Sequence, residues 1–186
     1  MKLEVLEKDH YYHIYNRGIN GCKIFMNDSN YDYFINLFFK YLTPHLTVYA
    51  YCLLSNHFHF VVRIDTEHKI VSQKLSNFFN AYVKAFNKAD NRTGSLFEKP
   101  FKRIKLHSED YLINLIIYVN TNPLRHKITF EFENYLYSSY SDIVNENSRF
   151  IKVNEVLDLF HDIENFKFIH QNKKVVLSDK FTLDFF

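Results

Sequence analysis

Two runs rich in β-branched and aromatic residues, 46–54 and 57–64, are separated only by Ser55-Asn56. That gap is the spacing of a tight hairpin, so the chain reverses there and the two strands pair antiparallel. Residues 10–16 (HYYHIYN) read as a further strand and 17–30 as a loop. Asp28 or Ser29 is placed to cap a helix whose Tyr33, Phe34, Leu37, Phe38 and Tyr41 recur at helical spacing, and Thr43-Pro44 stops it. Leu75, Phe78, Phe79, Tyr82, Val83 and Phe86 form a second helical stripe within 69–89. Residues 101–106 read as a short basic strand. Ser108 caps a third helix, 109–122, with Glu109 and Asp110 at the positive end of its dipole. Pro123 ends that helix near Asn122, because a proline disfavours helical geometry in the residue before it. The order predicts an α+β domain, an antiparallel sheet with helices packed mainly on one face. From residue 145 the chain turns acidic and looser, with one amphipathic helix at 153–160. The expected division is therefore a domain over 1–144 and a C-terminal helical extension over 145–186.

The chain has 186 residues, 47% of them hydrophobic, with 20 Phe, 14 Tyr and no Trp. A chain of that length and composition buries one sizeable core, and most of the aromatic rings belong to it. Cys22 and Cys52 are too few for a disulfide framework or a four-cysteine zinc site. The start, Met1-Lys2-Leu3-Glu4, lacks the apolar core of a signal peptide, and no run approaches the ~20 apolar residues of a membrane span. A cytoplasmic protein with no membrane partner is expected. The formal net charge is only +2, which at first sight argues against a nucleic-acid partner. It is a cancellation: residues 69–128 carry 11 basic and 4 acidic side chains, residues 129–186 carry 6 and 10.

His57-Phe58-His59 lies on the second hairpin strand. Residues two apart on a strand share a face, so both imidazoles point one way and Phe58, Phe60, Val62 and Ile64 the other. Two neighbouring imidazoles suit a divalent cation, although two half-exposed strand histidines are the plainer reading of that motif alone. On the third helix Tyr111, Leu115, Tyr118 and Asn122 form one stripe, beside an apolar stripe of Leu112, Ile116 and Val119. Tyr118 and Asn122 then present a phenol and an amide oxygen together. A phenol, with a pKa of about 10, is a weak nucleophile and needs a metal or base and a positioned electrophile. A Mg²⁺ or Mn²⁺ ion on His57, His59 and Asn122 would polarise a phosphodiester for attack by Tyr118. Phe97, Lys99, Phe101, Lys102, Arg103 and Lys105 interleave rings and cations, as a single-strand groove requires. A solvated edge strand guarded by lysines reads the same way.

Five stretches resemble the single-tyrosine HUH (His-hydrophobic-His) transposases, in particular the REP-associated tyrosine transposases. They are Tyr12-His13-Ile14-Tyr15-Asn16-Arg17-Gly18, Ala50-Tyr51-Cys52-Leu53-Leu54-Ser55-Asn56-His57-Phe58-His59, Gly94-Ser95-Leu96-Phe97-Glu98, Tyr118-Val119-Asn120-Thr121-Asn122-Pro123-Leu124-Arg125-His126 and Tyr137-Ser138-Ser139-Tyr140. The resemblance covers roughly residues 10 to 142. It implies a ferredoxin-like or RRM-like HUH endonuclease fold, His57, His59 and Asn122 as ligands of Mg²⁺ or Mn²⁺, and Tyr118 as nucleophile. It implies a nucleoid-associated enzyme that cuts single-stranded DNA near hairpin repeats and leaves a 5′-phosphotyrosine, acting as a monomer or homodimer. Arg17, Lys99, Lys102, Arg103 and Lys105 are the expected DNA contacts. The chain departs from the family at Leu54-Ser55-Asn56, where relatives usually carry Met-Pro-Asn, and at Lys99-Pro100-Phe101, where many carry Gly-Arg. A structural role is expected for His13, and His126 is expected at the surface. Two other readings are a hairpin-binding protein of the same fold without transposition activity and a metal-dependent phosphohydrolase of small nucleotides.

Overall fold

A computed structural model describes residues 4–173 and residue 175; the first three residues and the end of the expected extension lie outside the described residues. In chain order the elements are β1 (Tyr11–Arg17), α1 (Asp28–Leu42), β2 (Leu46–Leu54), β3 (His57–Ile64), α2 (His68–Ala89), β4 (Lys102–Lys105), α3 (Glu109–Asn120), α4 (Asn122–Arg125), α5 (Ser139–Val144), α6 (Val153–Leu159) and α7 (Ile163–Asn172). The hairpin forms with Leu54 opposite His57, and its strands join a four-stranded antiparallel sheet of order β2-β3-β1-β4. The α+β class and antiparallel sheet read from the sequence are what the chain adopts.

The pleat sorts side chains onto two faces. In register, Arg17 stands opposite His57, Tyr15 opposite His59 and Lys102, and His13 opposite Val61 and Ile104. These residues share one face. Phe58, Phe60, Ile14, Asn16 and Arg103 take the other. The two long helices cover the phenyl face. Phe34 of α1 lies 5.2 Å from the Phe58 ring and 4.8 Å from Phe78 of α2, and Phe38 stacks on Phe60 at 4.2 Å. Such ring pairs contribute roughly 0.5–1.5 kcal/mol each beyond the area they bury.

Helices mainly on one face describes α1 and α2 but not α3, which lies against the imidazole face. All nine residues of β2 are buried, and a sheet buried on both faces must be covered on both. Residues 115 to 120 of α3 are buried all round, so it serves as the inner helix of that second layer. Two smaller corrections concern helix ends. Asn27 rather than Asp28 or Ser29 caps α1, accepting from the Asn30 N–H. The third helix ends at Asn120, and a separate turn resumes at Asn122 with Pro123 inside it, where the missing N–H is no loss. The chain nevertheless keeps a helical course across Thr121, whose N–H donates to the Ile117 carbonyl. Two short helices, α5 and α7, were not legible as such.

The outer edge of β2 is closed by the chain that follows α4. The Leu53 N–H donates to the Tyr137 carbonyl, Tyr51 N–H to Ser139 Oγ and Lys152 N–H to the Val48 carbonyl. Ser139 Oγ in turn donates to Asn120 Oδ1 at 2.5 Å. Asn120 Nδ2 donates to His170 Nε2 at 3.0 Å, so His170 carries its proton on Nδ1 and gives it to the Phe166 carbonyl at 2.7 Å. This chain of bonds ties β2, α5, α3 and α7 together. No helix among the described residues is long and apolar enough to cross a membrane.

Burial pushes His170 down to about 4. In the unfolded chain a histidine titrates near 6.5. Above about pH 6.5 the ring is neutral in both states, and between the two values only the unfolded chain takes up the proton. Folding stability therefore falls as pH drops from about 6.5 towards 4, by up to about 3 kcal/mol from this residue. Urea unfolding at a series of pH values should show that decline in the wild type and a shallower one in His170→Gln.

Candidate active site

The hairpin that founds the sheet also places its histidines. His57 follows the turn directly, and Nδ1 donates to its neighbour Asn56 Oδ1 at 2.7 Å. His59 is fully buried, with its ring perpendicular to His57 at 5.2 Å. Across the sheet from β1 comes His13, also fully buried, whose Nε2 lies 2.9 Å from His59 Nδ1. Both strand histidines thus have Nδ1 engaged. Nε2 of His59 is buried and makes no hydrogen bond among the described residues. Burial, then the charges of His13, His57 and His126, hold His59 well below the usual histidine range. It is a neutral imidazole at pH 7.

The second layer supplies the rest. Tyr118, with no exposed surface, sets its ring edge-on to His59 at 5.9 Å. The Arg125 guanidinium lies over the same tyrosine ring at 5.0 Å and donates to the Val175 carbonyl. His126 brings its ring to 4.6 Å from His57. Tyr118 and His126 therefore touch the two strand histidines from one turn before and one turn after Asn122. Asn122 is fully buried, and neither its Oδ1 nor its Nδ2 finds a hydrogen-bond partner among the described residues. A buried amide left unsatisfied costs about 1–3 kcal/mol, so this is a place where the fold carries a cost.

Tyr118 against His59 and His126 against His57 bring the α3–α4 junction, of which Asn122 is part, over the imidazole face of the sheet. The basic residues divide. Arg17 neighbours His57 across the ladder and pairs with Glu98 at 3.3 Å. Lys102 faces the same side beside Tyr15, while Lys99 is exposed beyond the strand end. Arg103 and Lys105 point to the opposite face, Arg103 over the Phe101 ring at 5.0 Å and Lys105 onto Glu7 at 2.7 Å. His126, expected at the surface, is half-buried against His57, because the α4 turn folds back towards the sheet. His13 does what a structural role asks, but its partner is His59 itself. Its alternation with Tyr11 and Tyr15 put it on a strand; only the register shows which histidine it meets.

Among the described residues no three His, Cys, Asp or Glu side chains converge as a ready-made ligand set. The donors that the sequence assigned to a hard cation, two imidazoles and the amide oxygen of Asn122, are all buried. The unsatisfied Nε2 of His59 and Oδ1 of Asn122 fit that role: Oδ1 of Asn122 is an acceptor with nothing to accept, and Nε2 of His59 is one when the ring proton sits on Nδ1.

No protein-family model matches the chain, and no curated protein matches its sequence. Among solved structures it is similar to a REP-associated tyrosine transposase bound to a REP hairpin, with a TM-score of 0.63. The match spans 78% of this chain and 85% of that one at 13% identity. At that identity the likeness establishes a shared fold.

If Asn122 is kept for what it can bind, the fold should not miss it. Asn122→Leu should raise stability by about 1 kcal/mol, read as a higher urea midpoint, because an apolar side chain of similar size removes the unsatisfied amide.

Proposed function

We propose that this protein is a metal-dependent endonuclease and strand transferase of single-stranded DNA, cutting beside hairpins with Tyr118 as nucleophile. The observation that carries the reading is the seat of Tyr118: a phenol held edge-on to His59, one helical turn from an unsatisfied amide, in a chain with a tyrosine transposase's fold. The structural neighbour is bound to a REP hairpin, and that supports a hairpin with single-stranded flanks as the substrate class.

His57, His59 and Asn122 would hold Mg²⁺ or Mn²⁺, which when bound supplies polarisation of the scissile phosphate and neutralisation of its developing charge. Tyr118 Oη forms a bond to phosphorus as the bond to the 3′ oxygen breaks. The phenol gives up its proton as it attacks, and the departing oxygen takes one up as a free 3′ hydroxyl. The DNA remains on the enzyme as a 5′-phosphotyrosine, whose bond energy is available to a second 3′ hydroxyl. Arg125, over the Tyr118 ring, compensates negative charge that builds on the phenol and presents a fork suited to phosphate. Tyr118 reaches the histidines of its own chain, so the reading needs no exchange of helices between subunits.

His13 fixes the tautomer. For His59 to offer its Nε2 lone pair, Nδ1 must carry the proton and donate it to His13 Nε2. The remaining DNA contacts assigned to Arg17, Lys99 and Lys102 belong to this proposal, with Arg103 and Lys105 reaching the strand from the far face.

Two measurements test the reading. With Mn²⁺ and a hairpin oligonucleotide bearing single-stranded flanks, the protein should form a covalent DNA adduct stable to denaturing electrophoresis. Tyr118→Phe should form none; an adduct surviving that change, or nucleotide hydrolysis indifferent to it, overturns the assignment. Calorimetric titration with Mn²⁺ should show about 10–100-fold weaker binding in His13→Phe, with most of the affinity restored in His13→Gln, which keeps an acceptor.

A further inference from the structure

Helix α2 carries more apolar surface than the sheet can cover. Val71, Leu75, Phe78, Tyr82 and Phe86 form the buried stripe that packs on the phenyl face. Phe79 and Val83 lie one position round, on a second stripe shared with Ser76 and Asn80, and are only partly buried. What stands opposite them is the loop of residues 94–101, and between the two lies a cavity of about 600 Å³. Its walls include the rings of Phe79, Phe97 and Phe101, with Phe79 5.5 Å from Phe97 and 5.3 Å from Phe101. Asn16, Ser76, Asn80, Ser95, Lys99 and Glu98 supply the polar part of the lining, the Glu98 carboxylate being paired with Arg17.

The wall is fixed in place before anything binds. Gly94 has φ +86, a left-handed conformation that favours glycine, and its carbonyl accepts from Asn87 Nδ2 at 2.9 Å. The Ile19 N–H donates to the Leu96 carbonyl and the Glu98 N–H to the Arg17 carbonyl, so the loop continues the sheet beyond β1. Arg17 is also the cross-strand neighbour of His57. The cavity thus opens at the histidine end of the sheet, two strand spacings or roughly 10 Å from His57 across the ladder, but on the opposite face. Between the two faces the cations run in order round the short β4 edge. Lys102 is on the imidazole side, Lys99 at the strand end, and Arg103 lies over Phe101 on the cavity side.

We infer that this cavity receives one unpaired base of the DNA strand whose phosphate lies at the histidines, the strand turning round the β4 edge along Lys102, Lys99 and Arg103. The inference rests on the reading of the protein as one that acts on single-stranded DNA. An apolar box walled by three phenyl rings is suited to the face of a base, and such stacking tolerates any of the four. The Asn80 amide and Ser76 hydroxyl are placed to meet a base's polar edge, and the cations on the path match the phosphates that must accompany it.

The test uses the full chain and a DNA hairpin with oligothymidine flanks in which 5-iododeoxyuridine replaces single thymidines. Irradiation should crosslink a flanking position to Phe79 or to the segment 94–101, mapped by peptide mass spectrometry. Phe79→Leu and Phe101→Leu keep apolar volume but remove a ring. Each should weaken binding of this probe at least about fivefold, the lower end of what stacking one base contributes, with an unchanged unfolding midpoint. An abasic site at the crosslinking position should weaken wild-type binding by a similar factor and leave the variants unaffected. If the probe binds but crosslinks elsewhere, and both variants bind as the wild type does, the cavity is not a base site, whatever the Tyr118 adduct assay shows. A protein that binds no probe at all overturns this inference and the proposed function together, whereas an adduct lost in Tyr118→Phe with no change in Phe79→Leu overturns this inference alone.

Discussion

The pleat of β3 is the constraint on which the rest of the molecule depends. Alternate side chains of His57–Ile64 leave the strand in opposite directions, so a single run of eight residues sends imidazoles to one layer and phenyl rings to the other. The phenyl face must be covered by apolar helices, and α1 and α2 bring Phe34, Phe38 and Phe78 to it. The imidazole face must also be covered, because β2 beside it is buried throughout, but here the cover has to coexist with polar groups. Helix α3 meets that requirement with Tyr118 against His59 and hands the chain to α4, which returns His126 to His57.

The two layers carry different kinds of energy. Between α1, α2 and the sheet, rings pack on rings, and the gain is burial and dispersion. On the other side, a bonded series from Tyr51 through Ser139, Asn120 and His170 satisfies every polar group it contains. Within one turn of that series stands Asn122, whose side chain makes no hydrogen bond among the described residues. The contrast is informative, because Asn120 and Asn122 are the same residue type, both fully buried, two positions apart. One is spent on holding the helix to the sheet and the other is left with its bonding capacity intact. A fold that bonds the first so completely carries the second, which lies in the chain between the Tyr118 and His126 that meet the strand histidines, at a cost of its own.

Much of this was legible in the chain itself, for reasons that differ by element. The hairpin declared itself through a two-residue gap, and the α1 and α2 stripes through helical spacing of Phe and Tyr. The pair His57 and His59 followed from strand periodicity alone. What could not be read was anything set by register between distant strands. His13 meets His59 rather than another partner only because Tyr15 pairs with His59 in the ladder. The stripes of α3 were legible, but not that they meet the imidazole face, since which face a helix covers is set by the long-range path of the chain and not by its own periodicity. His126 looked like a surface residue because three positions after a proline the local pattern carries no information about a turn folding back. Helices α5 and α7 were missed for a related reason: what holds them is Ser139 and His170 reaching across to Asn120 rather than their own periodicity.

The closure of the β2 edge has a consequence in time. The residues that complete it are far down the chain: Tyr51 and its partner Ser139 are 88 positions apart. A ribosome adding about 5–20 residues each second takes several seconds to cover that interval. Throughout it the hairpin is already made, while the nine residues of β2, eight of them apolar, present an unpaired row of amides and carbonyls to whatever strand comes near. The vulnerable species of this protein is thus a half-synthesised chain, and its last third acts as the stopper that ends the exposure.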